Sequence, residues 1–332
     1  MVRDLVIEGT AFSRAARNEI VLPVGTDVFG GNYGIPLVIL RGATPGPIMA
    51  VDACCHGDEP EGTRALFELM RRVKPHELAG TLVLAPALNL AAVAAMQRGN
   101  PHDHWNGDLN RLFPGSPDGN LTQRTAYAYF NSILRQADFV ISLHSGASYI
   151  LWSHEVLTSA RDAKSLALAQ ALGRDWDVVR YTDGFAGSCS AACHDAGITA
   201  ISIEVGGAAQ RSVAEYGLVV DLIVDALLNG LRTLGMLDGE ASAAERWILV
   251  EDEAIRSSIS GFVVFEDRLR LRCEVQRGET LAKLYNAHGV ELQAIAAPFD
   301  GLLMGMRTYT YAPAGWPLVW LARPTKTITR TL

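Results

Sequence analysis

The sequence predicts an α/β protein with a mixed, largely parallel sheet flanked by helices and a small all-β domain at its C-terminal end. Five short runs are apolar on both faces, which is typical of central strands that helices cover on both sides. Helical patterns lie between these runs, and strands that alternate with helices indicate an α/β sheet. After about residue 240, short β-like runs separated by glycine and proline predict the β-domain.

The predicted elements follow one another along the chain. The strand candidates are 37–40, 47–55, 81–88, 138–143 and 198–205. The helix candidates are 60–73, 121–136, 161–172 and 211–235. Pro60 is expected at the first position of the helix 60–73. A polar segment of small residues near residue 240 divides the chain into a predicted α/β domain, 1–240, and a β-domain, 241–332.

The composition is that of an ordinary globular protein. Of its 332 residues 49% are hydrophobic and 20% charged, and its five cysteines do not form a disulfide framework. The net charge of −7 argues against nucleic acid or an anionic membrane as the main partner. No apolar stretch approaches the roughly 20 residues of a membrane helix, and the N-terminal segment lacks the apolar centre of a signal peptide. We therefore expect a cytoplasmic protein, either monomeric or homo-oligomeric.

Polar residues follow four of the predicted strands: His56 and Glu59, then Asn89, His144 and Glu204. Because ligands bind outside the carboxyl ends of strands in open α/β sheets, we expect these side chains to share one edge. Two imidazoles and one carboxylate form a catalytic zinc set that leaves a position open for water. Glu204 would then be the base beside that water. A buried ion pair is the alternative explanation for Glu204.

The segment 89–120 is a long loop rich in glycine, proline and asparagine. Loops of this length are uncommon unless they are functional or disordered. Arg98 and Arg111 are its natural anion binders, since a guanidinium group matches a carboxylate bidentately. Residues 102–104, His-Asp-His, allow a second metal site, but solvated side chains or substrate contacts are the favoured interpretation because no strand end fixes them.

Four motifs together resemble the succinylglutamate desuccinylase/aspartoacylase family, zinc amidohydrolases related to the metallocarboxypeptidases. They are HGDEPEG (56–62), DLNRLFPG (108–115), SLHSG (142–146) and IEVGG (203–207). Their order and rough spacing match over residues 20–235, and the tail is similar to the small C-terminal β-domain of the family. The resemblance therefore covers nearly the whole chain and implies a zinc-carboxypeptidase-like fold.

The resemblance also implies a role for each site residue and one zinc ion per chain. The implied zinc ligands are His56, Glu59 and His144. Glu204 is the implied general base and then acid, and Arg98 is implied to polarise the scissile carbonyl. Asn110 and Arg111 are implied to bind the substrate carboxylate. Asp108 is expected either to fix the conformation of its loop or to contact a metal ligand rather than the metal itself. The stretch GNPHDHWNG separates Arg98 from Asp108 by more residues than the family usually has, which predicts a modified pocket wall.

These roles predict hydrolysis of the amide bond in a small N-acyl amino acid. One alternative is a metallocarboxypeptidase acting on small peptides, which uses the same zinc and arginine chemistry. Another is a non-catalytic carboxylate-binding relative, although such a protein needs no acid beside a metal. N-acetylaspartate, N-succinylglutamate and N-acetyl-diaminobutyrate all fit the predicted site, and the polar loop slightly favours a neutral or cationic side chain.

The C-terminal residues also have a lipoyl/biotinyl-like pattern. Carrier domains of that kind attach their cofactor to a lysine at a hairpin tip. The corresponding tip, Ala287–Gly289, contains no lysine. We therefore expect this domain to pack against the rest of the protein or to shape its active site.

Overall fold

A computed structural model describes residues 4–26, 30–103, 107–159, 162–182, 184–207 and 213–330. Its strands are β1 Val6–Ile7, β2 Thr10–Ala11, β3 Ala16–Thr26, β4 Asn32–Arg41, β5 Thr44–Asp52, β6 Ala79–Ala85, β7 Phe139–His144, β8 Ile150–Thr158, β9 Val178–Tyr181, β10 Thr199–Gly206, β11 Arg246–Arg256, β12 Gly261–Phe265, β13 Glu274–Val275, β14 Thr280–Tyr285, β15 Glu291–Ala296, β16 Gly301–Arg307, β17 Tyr311–Ala312 and β18 Pro317–Thr329. Its helices are α1 Glu61–Arg72, α2 Leu90–Ala94, α3 Leu121–Ser132, α4 Ala163–Gln170, α5 Cys189–Asp195 and α6 Val213–Thr233.

The predicted α/β class is confirmed by a twelve-stranded sheet of order β13-β16-β18-β11-β9-β8-β10-β7-β5-β6-β4-β3. Parallel pairing joins β10, β7, β5 and β6, and separately joins β8, β9 and β11. The remaining described pairs in this sheet are antiparallel, so the sheet is mixed rather than largely parallel. Residues 37–40, expected in a parallel strand, belong to β4, which runs antiparallel to β6.

The apolar strands are buried on both faces. Met49 and Val51 of β5 pack in one core cluster with α1, α4 and α6, whereas Ile48 and Ala50 pack in a second cluster with α3 and α5. This division arises because successive side chains of a strand point to opposite faces of the sheet. The two clusters explain why the predicted central strands read as continuous apolar runs.

The described residues from 246 onward form strands and no helix. β12, β14, β15 and β17 make a separate four-stranded sheet, but β11, β13, β16 and β18 extend the large sheet. β11 joins the two parts because it pairs with β9 on one side and with β18 on the other. Residue 240 therefore marks the end of the helices but not the end of the large sheet, and the division into two domains stays a prediction.

The carboxyl ends of β5, β7 and β10 lie side by side at one edge of the sheet. Asp52 of β5 is the Cα partner of Ser142 in β7, and Glu204 of β10 is the partner of His144 in β7. This register brings the ends of three parallel strands to the same level. None of the described helices is long and apolar enough to cross a membrane.

Candidate metal centre and active site

Three buried side chains, His56, Glu59 and His144, form a cluster whose ligand atoms all lie within 4.8 Å of one another. The Nδ1 atom of His56 is 2.7 Å from Oε1 of Glu59, and the Nδ1 atom of His144 is 2.9 Å from Oε2 of the same carboxylate. Two imidazole nitrogens and a carboxylate suit zinc and related divalent metals. The three residues expected from the strand ends can therefore hold one metal ion.

Local packing fixes these residues. His56 and Glu59 lie in the turn between β5 and α1, where the Glu59 N–H donates to the His56 carbonyl over 3.3 Å. A Cβ atom added to Gly57 would lie 2.0 Å from the carbonyl carbon of Ala92, so only glycine lets α2 approach this turn. His144 is the last residue of β7, which places its ring at the sheet edge.

The outer nitrogen of each imidazole also has a partner. Nε2 of His56 donates to Oδ1 of Asp108 over 3.1 Å, and Nε2 of His144 lies 3.3 Å from the Ser142 hydroxyl oxygen. Such contacts orient metal-binding imidazoles and fix the tautomer in which the other nitrogen faces the metal. Asp108 thus supports the site, as the DLNR motif implied.

The charges of the cluster favour a cation. Burial lowers the pKa of His56, but the carboxylates of Glu59 and Asp108 raise it more, to about 9. Burial raises the pKa of Glu59, and the two neighbouring imidazoles more than offset this and hold it well below its usual range. An ionised Glu59 between two imidazoles needs positive charge beside it, whether from protons or from a metal ion.

Glu204 lines the same cavity as the three candidate ligands. Burial raises its pKa to about 8; the imidazole of His144 lowers this pKa, and the carboxylate of Glu59 raises it. A carboxyl group that titrates near neutral pH can accept a proton in one step and release it in the next. The position and the electrostatics of Glu204 therefore suit proton transfer beside the metal centre.

Arg98 reaches the cluster despite the long segment that follows it. Its Nη1 atom lies 3.8 Å from Oε1 of Glu59, and its Nε atom donates to Oδ2 of Asp108 over 3.0 Å. The backbone N–H of Asn100 donates to the carbonyl of Gly107 over 2.8 Å, which closes the extra segment at its base. The insertion therefore leaves Arg98 and Asp108 next to each other.

Two polar positions singled out in the sequence have structural roles. Asp103 of the His-Asp-His segment accepts the backbone N–H of Thr122 over 2.8 Å and so ties the loop to the start of α3. Asn89 caps α2 by accepting the backbone N–H of Ala92 over 3.3 Å. His104, the third residue of the segment, lies outside the described residues.

Asn110 and Arg111 line the cavity beside the metal centre. Oδ1 of Asn110 accepts the backbone N–H of Cys189 over 2.9 Å, so its amide nitrogen is the group that can donate to an anion. The guanidinium carbon of Arg111 lies 4.3 Å from the ring centroid of Phe185. A Cβ atom at Gly187 would lie 2.2 Å from the Arg111 carbonyl oxygen, so this glycine lets the Phe185 loop pack on Arg111.

The cavity, of about 620 Å³, has a further wall that the sequence did not predict. We call it the selective wall and define it by Arg180, Glu251, Asp252 and Trp320. Arg180 donates to Oδ2 of Asp252 over 2.5 Å and lies 3.0 Å from a carboxylate oxygen of the buried Glu155. Three of its residues come from β11 and β18, so the C-terminal strands shape the cavity. No motif marks them, because their proximity depends on the pairing of β11 with β9.

Comparisons with known proteins agree with this architecture. The N-alpha-acetyl-L-2,4-diaminobutyric acid deacetylase of Halomonas elongata is 26% identical over 299 residues, which cover 86% of this chain and 85% of that protein. The product-bound ectoine utilization protein EutE (DoeB) from Ruegeria pomeroyi superposes with a TM-score of 0.81 at 24% identity, covering 93% of this chain and 96% of its own. A succinylglutamate desuccinylase/aspartoacylase from Rhodobacter sphaeroides also gives 0.81, at 23% identity, with 97% and 100% covered. The two structural likenesses show a shared fold.

The family assignment rests on the central part of the chain. The family model of the succinylglutamate desuccinylase/aspartoacylase catalytic domain matches residues 45–228, more than half of the sequence. This range contains all four motifs and every candidate ligand described above. The protein therefore belongs to the succinylglutamate desuccinylase/aspartoacylase family.

Proposed function

We propose that this protein is a zinc-dependent amidohydrolase that cleaves the amide bond of a small N-acyl amino acid. The observation that carries the proposal is the convergence of His56, Glu59, His144 and Glu204 on one cavity. The first three side chains would hold the metal, and three protein ligands leave a coordination position open, as in catalytic zinc sites. Zinc bound there would polarise the substrate carbonyl and lower the pKa of water to about 7.

The chain's own residues supply the proton transfers and the charge stabilisation. Glu204 would accept a proton from the attacking water and return it to the departing amine. Arg98, held by Asp108 beside the cluster, would donate hydrogen bonds to the carbonyl oxygen as negative charge develops there. Interactions aimed at such a charge contribute on the order of 3 kcal/mol each to lowering the barrier.

Asn110 and Arg111 would bind the carboxylate of the amino acid. The Asn110 amide is fixed through its oxygen and offers its nitrogen, and Arg111 is steadied by the ring of Phe185. A guanidinium group matches a carboxylate with two parallel hydrogen bonds. Binding here would hold the amide bond between the carboxylate site and the metal centre.

The selective wall favours a cationic substrate side chain. Arg180 is paired with both Glu155 and Asp252, and the exposed Glu251 adds a further negative charge to this wall. The wall therefore carries more negative than positive charge. The Halomonas elongata relative is named for N-alpha-acetyl-L-2,4-diaminobutyric acid, which has a second amino group. An N-acetylated diamino acid is accordingly the substrate class that we propose.

A substrate panel on zinc-loaded protein tests the proposal. We expect N-acetyl-diaminobutyrate to be hydrolysed with a kcat/KM about fivefold above that of N-acetyl amino acids with neutral side chains, the effect of one favourable exposed charge interaction. Faster release of C-terminal residues from short peptides would instead identify a carboxypeptidase. Stoichiometric zinc without hydrolysis of any acylamide would indicate a non-catalytic relative.

A further inference from the structure

A buried carboxylate, Asp52, lies behind the metal centre in the middle of the sheet. It is fully buried, and two hydroxyl groups donate to it: Ser142 to Oδ1 over 2.6 Å and Tyr129 to Oδ2 over 3.4 Å. Burying a carboxylate is costly, and neutral hydroxyl groups offset that cost less well than a cation does. A further role for this acid would explain why the chain tolerates it.

The hydrogen bonds from Asp52 lead to a candidate metal ligand. A carboxylate only accepts, so the Ser142 hydroxyl must give its single hydrogen to Asp52. The Ser142 oxygen, 3.3 Å from Nε2 of His144, can then only accept from that ring nitrogen. Nε2 therefore carries a ring hydrogen, which leaves Nδ1, 2.9 Å from Oε2 of Glu59, as the nitrogen whose lone pair a metal would take.

The sheet itself fixes this arrangement. Asp52 and Ser142 are Cα partners on the adjacent parallel strands β5 and β7. Ser142 and His144 are two residues apart in β7, so their side chains lie on the same face. Asp108 contacts His56 directly from the other side of the centre. Each imidazole thus has its own carboxylate, one in direct contact and one through a hydroxyl.

We propose that Asp52, acting through Ser142, is a positioning residue that holds His144 in its metal-binding tautomer. The inference rests on the proposed function insofar as His144 binds a metal. Partners behind metal ligands typically change metal affinity about 10- to 100-fold when they are removed. The expected signature is therefore weaker zinc binding, independent of any substrate.

Two variants of the same hydrogen-bond network provide the test. Ser142→Ala removes the link to His144, whereas the matched control Tyr129→Phe removes only the other hydrogen bond of Asp52. Zinc affinity is measured by chelator competition, and the presence of a hydrogen on Nε2 of His144 by ¹⁵N chemical shifts of the metal-free protein. We expect Ser142→Ala to weaken zinc binding about tenfold or more and to lose the preference for Nε2–H, while Tyr129→Phe stays within about twofold of wild type.

Further variants separate a failure of the positioning role from a failure of zinc binding itself. Ser142→Thr retains the hydroxyl group and should keep wild-type zinc affinity. Should Ser142→Ala fail to fold, Asp52→Ala, which removes the acceptor of the Ser142 hydroxyl hydrogen, is expected to show the same loss. Wild-type affinity and an unchanged tautomer in the folded variant would overturn the inference. A wild-type protein that binds no zinc would refute the proposed function instead, and the ¹⁵N shifts would still decide whether Ser142 sets the tautomer.

Discussion

Two walls of one cavity are built in different ways. The catalytic wall, His56, Glu59, His144 and Glu204, comes from the ends of neighbouring parallel strands in the centre of the sheet. The selective wall comes from β9, β11 and β18, where the C-terminal strands add to the same sheet. The first wall consists of the candidate metal ligands and Glu204, and the second of ion pairs and an aromatic ring. Under the proposed function, the centre of the fold places the chemistry, and the strands added beside it determine substrate choice.

The largest expected effect tests the catalytic wall alone. Glu204→Gln removes the group that would accept and return the proton, and it keeps the size of the side chain. We expect turnover to fall about 1000-fold, within the range for loss of a general base, with zinc content unchanged. Steady-state kinetics and metal analysis on the same sample check this. Turnover within a few-fold of wild type would exclude Glu204 from the mechanism.

Arg111 lines the same cavity but belongs to neither wall, and its removal separates binding from chemistry. Arg111→Ala should lower kcat/KM about 100-fold, since a charged hydrogen-bonding pair with the substrate carboxylate is lost. Arg111→Lys keeps the charge without the planar fork, so an intermediate loss is expected. Initial-rate kinetics on an acyl amino acid and on its amide, which lacks the carboxylate, provide the measurement. An equal loss on both compounds would contradict carboxylate binding by Arg111.

A partly buried histidine of β8, the strand that pairs with β9, should make stability depend on pH. Nε2 of His154 accepts a hydrogen bond from Arg272, which also contacts Asp177. Burial, with a contribution from Arg272, lowers the pKa of His154 to about 4. In the unfolded chain the imidazole has a pKa of about 6.5, so it is protonated at a higher pH than in the folded protein. The contribution of His154 to the free energy of unfolding is therefore fully present above pH 6.5 and is lost as the pH falls towards 4.

We expect this histidine to contribute a loss of about 2 kcal/mol in the free energy of unfolding between pH 6.5 and pH 4. Urea unfolding at several pH values measures it. The glutamine in His154→Gln has no titrating group. The difference in pH dependence between this variant and the wild type is therefore the contribution of His154. Identical pH profiles for the variant and the wild type would show that His154 is not held neutral.

The smallest expected effect concerns the selective wall. Glu251→Gln should reduce the preference for a cationic over a neutral substrate side chain about fivefold, because an exposed charge pair is worth about 1 kcal/mol or less. Glu253→Gln is the matched control, since Glu253 is exposed on the same strand but does not line the cavity. Kinetics on paired substrates measure the ratio. An equal change in both variants would indicate a general charge effect.

The two walls also differ in how far the sequence predicts them. His56 and Glu59 follow an apolar run and precede a helix, so their position is a local signal, and the strand-end rule adds His144 and Glu204. Arg180 and Asp252 are 72 residues apart and meet only through strand pairing, which no motif records. Asp52 belongs to the run 47–55, which the sequence predicts only as an apolar strand, and its partner Ser142 depends on the register of β5 and β7.

The hydrogen bond between Asn100 and Gly107 has a consequence for how this enzyme can change. Because this bond joins Asn100 to Gly107, we expect changes in the number of residues between them to leave Arg98 and Asp108 side by side. Asp103 must be kept, since it binds the backbone N–H of Thr122 at the start of α3. Under that condition the same segment would offer an engineer a place to insert a tag or a reporter near the candidate metal centre.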